Sequence, residues 1–282
     1  MAEKLKIFRL LLSGRSNPYY NMAFDQALID SVSSLDSPPI FRVYGWRPYG
    51  VSFGFNQRIE NILDIDRCRA QGIPYVRRMT GGSVILHRDD ISYSVISKKE
   101  SLGIKGGVLE SYKIINSFLI SFYKSLGLKV DYARDKDSEN DLGVCSLFKE
   151  RYDIIYKGLK IGGNAQRRRG GVIFQHGSIS LKDSGSQLKD LLHESSKSGR
   201  EKSIALDKAL NREIKFKEAE GLLISSFKNS FNVEFKESRL LDKELSNISL
   251  LERAKYATSD WNLKRRDYVK EAPRLAQQED KL

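Results

Sequence analysis

Within one short span the chain carries a thiol at Cys145, an amine fifteen positions later at Lys160, a Gly162-Gly163 pair and a His176-Gly177-Ser178 step. Moving an acyl group from a thioester to an amine calls for a nucleophile that divides one hard step into two easier ones. It also calls for donors aimed at the oxygen on which negative charge develops. Cysteine reacts as its thiolate, a form that a neighbouring ammonium favours. With Lys160 ~4 Å from Cys145 and an effective dielectric of about 20, their attraction would be ~4 kcal/mol before desolvation is subtracted. Each residue also has a plain reading. A lone cysteine is a small buried hydrophobe, Lys160 a solvated strand lysine, and His176 a structural hydrogen-bonding group. Cys68, inside ILDIDRCRAQG, keeps the plain reading.

A second constellation runs from Tyr75 to His87, YVRRMTGGSVILH. A short strand leads into Arg77 and Arg78, then Thr80-Gly81-Gly82, then a strand ending in His87. Adjacent glycines allow positive φ and uncover N–H groups, which can form a nest for an anion. Both arginines could add charge-assisted hydrogen bonds to the same ligand. The triplet serves equally as an ordinary hairpin turn. His87-Arg88-Asp89-Asp90 supplies one imidazole beside carboxylates, too little for a metal site, and reads as a solvent-facing turn. The sequence has no Walker or dinucleotide glycine motif and no Cys/His set with zinc spacing.

The elements that must hold these residues follow from periodicity and punctuation. Asn17-Pro18 is a helix start, and Tyr20, Phe24, Ala27, Leu28 and Ser31 then share a face. Strands are expected at 40–44 and 51–55, with Trp46, Pro48 and Gly50 between them and Gly54 and Gln57 closing the second. Residues 91–96 alternate as a strand, followed by a polar loop over 97–107 bearing Lys98, Lys99 and Lys105. A helix presents Ile115, Phe118, Leu119, Phe122 and Leu126, and a charged loop follows over 131–140. Residues 152–161 form a hairpin about Lys157-Gly158, with Gly162-Gly163 as a further turn. Arg167-Arg168-Arg169-Gly170-Gly171 is expected as a basic turn before a strand over 172–180. Residues 181–203 read as a linker with an exposed His193, and a last amphipathic helix carries Ala219, Leu222, Leu223, Ser226 and Phe227. Many short strands with a few helices between them imply an α+β fold of mixed, mainly antiparallel sheets flanked by helices. Residues 1–262 are expected to form one catalytic domain and 263–282 a charged tail.

The net charge of +12 over 282 residues favours acidic partners or polyanions, although a lysine-rich surface of no special purpose gives the same sum. The opening MAEKLKIFRLLLSG reads as a first strand rather than a signal peptide. No apolar run is long enough to cross a bilayer, and two cysteines fit a cytoplasmic chain.

Six ordered motifs extend over most of the sequence. They are Met22-Ala23-x-Asp25; Tyr44-x-Trp46-x-Pro48 leading into Ser52-x-Gly54-x-x-Gln57; and Arg77-Arg78-x-Thr80-Gly81-Gly82 leading to His87. Then come Lys160-Ile161-x-Gly163-Asn164-Ala165-Gln166, Gln175-His176-Gly177-Ser178, and Lys255-Tyr256 with Trp261-Asn262. On these the chain resembles the lipoate–protein ligase and lipoyl/octanoyl transferase family, which shares its catalytic fold with biotin–protein ligases. The position of Cys145 before the strand pair resembles the cysteine-dependent octanoyl-[acyl-carrier-protein]:protein octanoyltransferase branch, as does the chain's stop soon after Trp261. The resemblance implies Cys145 and Lys160 as catalytic residues. It implies a substrate pocket formed by Arg77, Arg78, Thr80, Gly81, Gly82, His87, Gly163, Asn164, Gln166, His176, Gly177 and Ser178, with no metal ligands. The donor would be octanoyl-acyl carrier protein. The acceptors would be lipoyl-domain proteins, such as a glycine-cleavage H protein or a 2-oxoacid dehydrogenase E2. No nucleic acid or membrane partner is implied, and the protein would be a monomer. A transferase of this kind needs no cofactor, whereas the alternative, an ATP-dependent lipoate ligase, needs ATP and Mg. The chain departs from the family pattern at Ser83, where a third glycine often stands, and at Arg88, where Asp usually follows the histidine.

Overall fold

The computed structural model describes residues 5–34, 37–133, 153–197 and 203–269. Its frame is an eight-stranded sheet built from β1 (Lys6–Ser16), β2 (Ile40–Trp46), β6 (Asp90–Lys98), β7 (Asp131–Tyr132), β8 (Ile154–Tyr156), β9 (Leu159–Arg169), β10 (Val172–Ser180) and β11 (Val233–Glu237). The order across it is β11-β1-β2-β6-β10-β9-β8-β7. β1 pairs in parallel with β2 and β11, and the other pairings are antiparallel. A second, small sheet joins β4 (Tyr75–Arg77), β3 (Gly50–Phe53) and β5 (Ile85–His87). The α+β class with mixed, mainly antiparallel sheets is therefore the observed one.

Both faces of the large sheet are covered. On one lie α3 (Val108–Ser125) and α6 (Phe216–Phe231), where Phe41, Phe118 and Phe227 pack ring to ring. The other is covered by α1 (Pro18–Ser34) and α7 (Asp242–Leu251). α1 starts where expected: the Asn17 side chain accepts the Tyr20 N–H at 2.8 Å, satisfying a donor the helix leaves open. The helix is buried on more sides than an apolar stripe requires. Polar Asn21, Asp25 and Gln26 lie inside with Phe24, Ala27 and Leu28. A third core, between α2 (Ile65–Ala70) and the small sheet, takes Cys68, whose thiol is pushed up to about 11 chiefly by burial.

Several expected turns and loops are ordered differently. Gly162-Gly163 lies inside β9, because the reversal is already made at Lys157 and Gly158 with φ of 49° and 79°. The three arginines likewise belong to β9, and Gly170-Gly171, with φ of 55° and 75°, makes the turn alone. The 181–203 stretch is not a plain linker. It contains α4 (Gly185–Asp190), and Leu191 and Leu192 anchor it in the third core. Nor is α6 the last element. β11 and α7 follow, then a π-turn at Glu252–Tyr256 and α8 (Ser259–Asn262). α7 escaped a periodicity reading because its buried side is only Glu244, Ile248 and Leu251.

Candidate active site

β10 runs through the middle of the site, and side chains alternate across a strand. His176 and Ser178 face α1 and the small sheet, whereas Gln175 faces α3, where its amide donates to Asn116 Oδ1 at 2.7 Å. His176 Nε2 meets Thr80 Oγ1 at 2.7 Å, joining the large sheet to the Thr-Gly-Gly loop. Its Nδ1 is 3.6 Å from Asp25 Oδ2. Asp25 is wholly enclosed. Its Oδ1 accepts from Arg42 Nη1 at 2.7 Å and Ser94 Oγ at 2.8 Å, and its Oδ2 from Tyr44 OH at 3.2 Å. The Arg42 guanidinium lies 3.9 Å and 3.8 Å from the Phe24 and Tyr44 ring centres, a cation–π arrangement between buried side chains. Burial alone would push the Asp25 carboxyl up, but Arg42 and the nearby His176 hold it below the usual carboxylate range. Burial likewise pushes the His176 imidazole down, against the pull of Asp25.

A second buried chain starts at Asp90. Its Oδ2 meets His87 Nδ1 at 2.7 Å, His87 Nε2 meets Ser52 Oγ at 2.6 Å, and Ser52 Oγ accepts from Arg78 Nη1 at 2.7 Å. An ionised Asp90 carboxylate can only accept, so the contact with it places a proton on His87 Nδ1. The Trp46 indole stacks on the His87 ring at 3.7 Å. Arg78 Nη2 donates to the carbonyls of Gly81 at 3.1 Å and Ser83 at 2.9 Å, curling the loop around itself. Gly81, Gly82 and Ser83 are exposed, and among the described residues their N–H groups make no hydrogen bond. That loop rests on Gly54, where a Cβ would lie 2.1 Å from the Gly82 carbonyl oxygen. The solvent-facing turn expected at His87–Asp90 holds only for Arg88 and Asp89. His87 and Asp90 are buried because each has the other as partner.

Lys160 lies near the edge of the same sheet face. Its Nζ donates to Asp153 Oδ2 at 2.7 Å, and it is partly exposed while Asp153 is buried. A β-bulge aims it there. Ile155 pairs with Lys160 but Ile154 pairs with Gly162, so β9 carries one extra residue. Ile161 and Gly162 consequently both face α3, where a Cβ on Gly162 would meet the Tyr123 hydroxyl at 2.6 Å. Lys160 and Gly163 then share the opposite face, with the Lys160 Cε 3.2 Å from where a Gly163 Cβ would stand. Gly163 pairs with Ser178, whose hydroxyl donates to Asp90 Oδ2.

The structure thus gathers Thr80, His176, Ser178, Gly163 and Lys160 on one side of β9–β10, beside the Arg78–His87 chain. Other expected pocket residues stand elsewhere. Gln166 faces α3, accepting from Ser111 Oγ and donating to Gln175. Asn164 shares that face, and both polar atoms of its amide are buried without a hydrogen-bond partner among the described residues. Gly177 also has its vacant side there, filled by the Tyr93 hydroxyl. Arg77 directs Nε, Nη1 and Nη2 to the carbonyls of Phe55, Gln57, Trp261 and Asn262. Burial lowers its pKa to about 10. The three arginines read as a solvated turn have defined partners too, Arg167 on the Met79 carbonyl, Arg168 on Ser111 Oγ and Arg169 on Asp30 Oδ1. Cys145 lies outside the described residues. Arg42 and Asp153 were not expected at the site, and Ser52 and Asp90 were expected only within a motif and a solvent-facing turn. The available signal was a charged or hydroxyl side chain within an apolar strand, which burial obliges to find a partner.

A model of the lipoyl protein ligase A/B catalytic domain matches residues 17–228. The chain is 34% identical over 274 residues to octanoyltransferase LipM of Staphylococcus epidermidis, covering 91% of this chain and 98% of that one. Against octanoyltransferase LipM of Bacillus subtilis the identity is 32% over 273 residues, covering 92% and 98%. Among solved structures, lipoate-protein ligase A bound with ATP superposes with a TM-score of 0.76 at 24% identity, over 90% of this chain and 98% of that one. A bipartite lipoate protein ligase from Thermoplasma acidophilum gives 0.76 at 24% identity, over 92% and 96%. At such identities the structural likeness is one of fold.

Proposed function

We propose, since this chain belongs to the lipoyl protein ligase A/B catalytic-domain family on its octanoyltransferase branch, that it transfers octanoyl from acyl carrier protein to the target lysine of a lipoyl-domain protein. The transfer proceeds through a thioester on Cys145, in the cytoplasm. The observation that carries the chemistry is Lys160, turned by the β-bulge onto the side of Gly163 and His176 and held there by Asp153.

The Cys145 thiolate attacks the carbonyl carbon of the donor thioester, and the carrier's sulfur leaves as a thiolate and takes a proton from solvent. The acceptor amine then attacks the acyl-enzyme, the Cys145 sulfur leaves, and the amine proton passes to solvent. Each addition places negative charge on the carbonyl oxygen. The Lys160 ammonium and the N–H groups of Gly81 and Gly82 are the donors for it. The side chains of Thr80 and His176 fix the distance between loop and sheet, and Arg78 fixes the loop's curl. Arg77 anchors the loop's base to the segment around Trp261.

Intact-mass measurement after mixing with octanoyl-carrier protein tests the reading. The wild type should gain one octanoyl group and Cys145→Ala none. Acyl-adenylate formed from lipoate and ATP, with Cys145→Ser fully active, would replace this reading with that of a ligase.

A further inference from the structure

We infer that Asp153 is a positioning residue for acyl transfer, holding Lys160 charged and aimed across Gly163; this deepens the function proposed above and rests on it. Asp153 immediately precedes β8, and Lys160 is the second residue of β9, so the Lys157-Gly158 turn brings them together across a tight hairpin. The Asp153 side chain is 3% exposed and the Lys160 side chain 22%, with Nζ to Oδ2 at 2.7 Å. A buried carboxylate needs a partner, and a carboxylate at hydrogen-bond distance favours the charged form of an amine. The backbone braces the pair as well. The Asp153 carbonyl accepts the Ala133 N–H at 3.0 Å, and the Lys160 carbonyl accepts the Ile204 N–H at 2.9 Å.

The geometry explains why the bulge and Gly163 occur together. Without the extra residue in β9, Lys160 and Gly163 would lie on opposite faces. With it, a side chain at 163 would press on the lysine's Cε. A lysine fixed in this way presents one directed ammonium to the developing oxyanion instead of sampling many rotamers. The carboxylate also sets the sign of the amine's reactivity. Lys160 is kept as a proton-bearing donor, so it does not compete with the acceptor lysine for the acyl group.

Two readouts test the inference, one of which needs no octanoyl substrate. In Asp153→Asn, Lys160 should react several-fold faster than in wild type with an amine-acylating ester near pH 8, read by mass mapping of its peptide, because the counter-charge is gone. In steady-state octanoyl transfer, Asp153→Asn should lower kcat roughly ten- to a hundredfold with KM unchanged, and Asp153→Glu should restore part of it. Faster labelling of Lys160 in Asp153→Asn supports the inference even if octanoyl proves the wrong acyl group. Unchanged labelling with unchanged kcat overturns it, as does a loss confined to Tm. If Asp153→Asn fails to fold, Asp153→Glu carries the test: altered labelling in the folded protein supports the inference, and wild-type labelling with wild-type kcat overturns it.

Discussion

The floor of the site and its edge are built on different terms. On the floor, Asp25, Arg42, Tyr44 and Ser94 bond one another without exposure, and Asp90, His87, Ser52 and Arg78 form a second closed chain. At the edge, a partly exposed amine has a buried carboxylate and Gly163 beside it. Ser52, His87 and Asp90 even have the order of a nucleophilic triad. Yet Ser52 is fully buried and its oxygen already takes a hydrogen bond from Arg78, so the arrangement orders a loop and attacks nothing. Residue types alone do not separate these roles. Access does.

The comparison is broken most forcefully at the floor. Asp25→Ala would strand the Arg42 guanidinium inside the protein, and breaking a buried pair on one side costs about 3–5 kcal/mol. Urea unfolding should show that loss. At the edge, Lys160→Ala should remove about 10²- to 10³-fold from kcat while lowering the urea midpoint less than Asp25→Ala does, because Lys160 is partly exposed and water can take its place beside Asp153; a stability loss as large as that at the floor would erase the distinction. Between the two regions, Gly54→Ala forces the Thr-Gly-Gly loop away from its seat, and crowding of this kind costs about 1–3 kcal/mol. Its transfer rate should fall along with stability.

The smallest effect concerns pH. The folded His176 imidazole titrates below its usual value because burial opposes its charge. The unfolded chain therefore binds that proton first. The associated stability is present above the unfolded value of about 6.5 and is lost as pH falls toward the folded one. His176→Gln should flatten the decline in stability below about pH 6.5, measured by unfolding at a series of pH values. An unchanged slope would place the acid sensitivity elsewhere.

Much of this was legible beforehand, for physical reasons. The Asn17 cap, the hydrophobic stripe of α3 and the Lys157-Gly158 turn each act locally, so local sequence reports them. The Thr80–His176 contact joins residues 96 positions apart, and only the ordered motifs suggested that they meet. What stayed hidden depends on register. The one-residue bulge at Ile161 decides which face Lys160 occupies, and the same alternation puts Asn164 and Gln166 opposite to His176. Nothing in the letters GGNAQ signals a strand rather than a turn. β9 is long because the hairpin closes before those glycines and not at them. Asp153 escaped notice because a single aspartate before a short strand acquires meaning only when its partner is seen.

The most direct test of the account follows the acyl group itself. Octanoylated wild-type enzyme, freed of carrier protein, is mixed with a lipoyl domain, and both masses are followed in time. The enzyme should lose one octanoyl group as the lipoyl domain gains one, with a markedly slower exchange in Lys160→Ala. A stable acyl-enzyme that never passes its load, or equal transfer from octanoyl-carrier protein by Cys145→Ala, would contradict it.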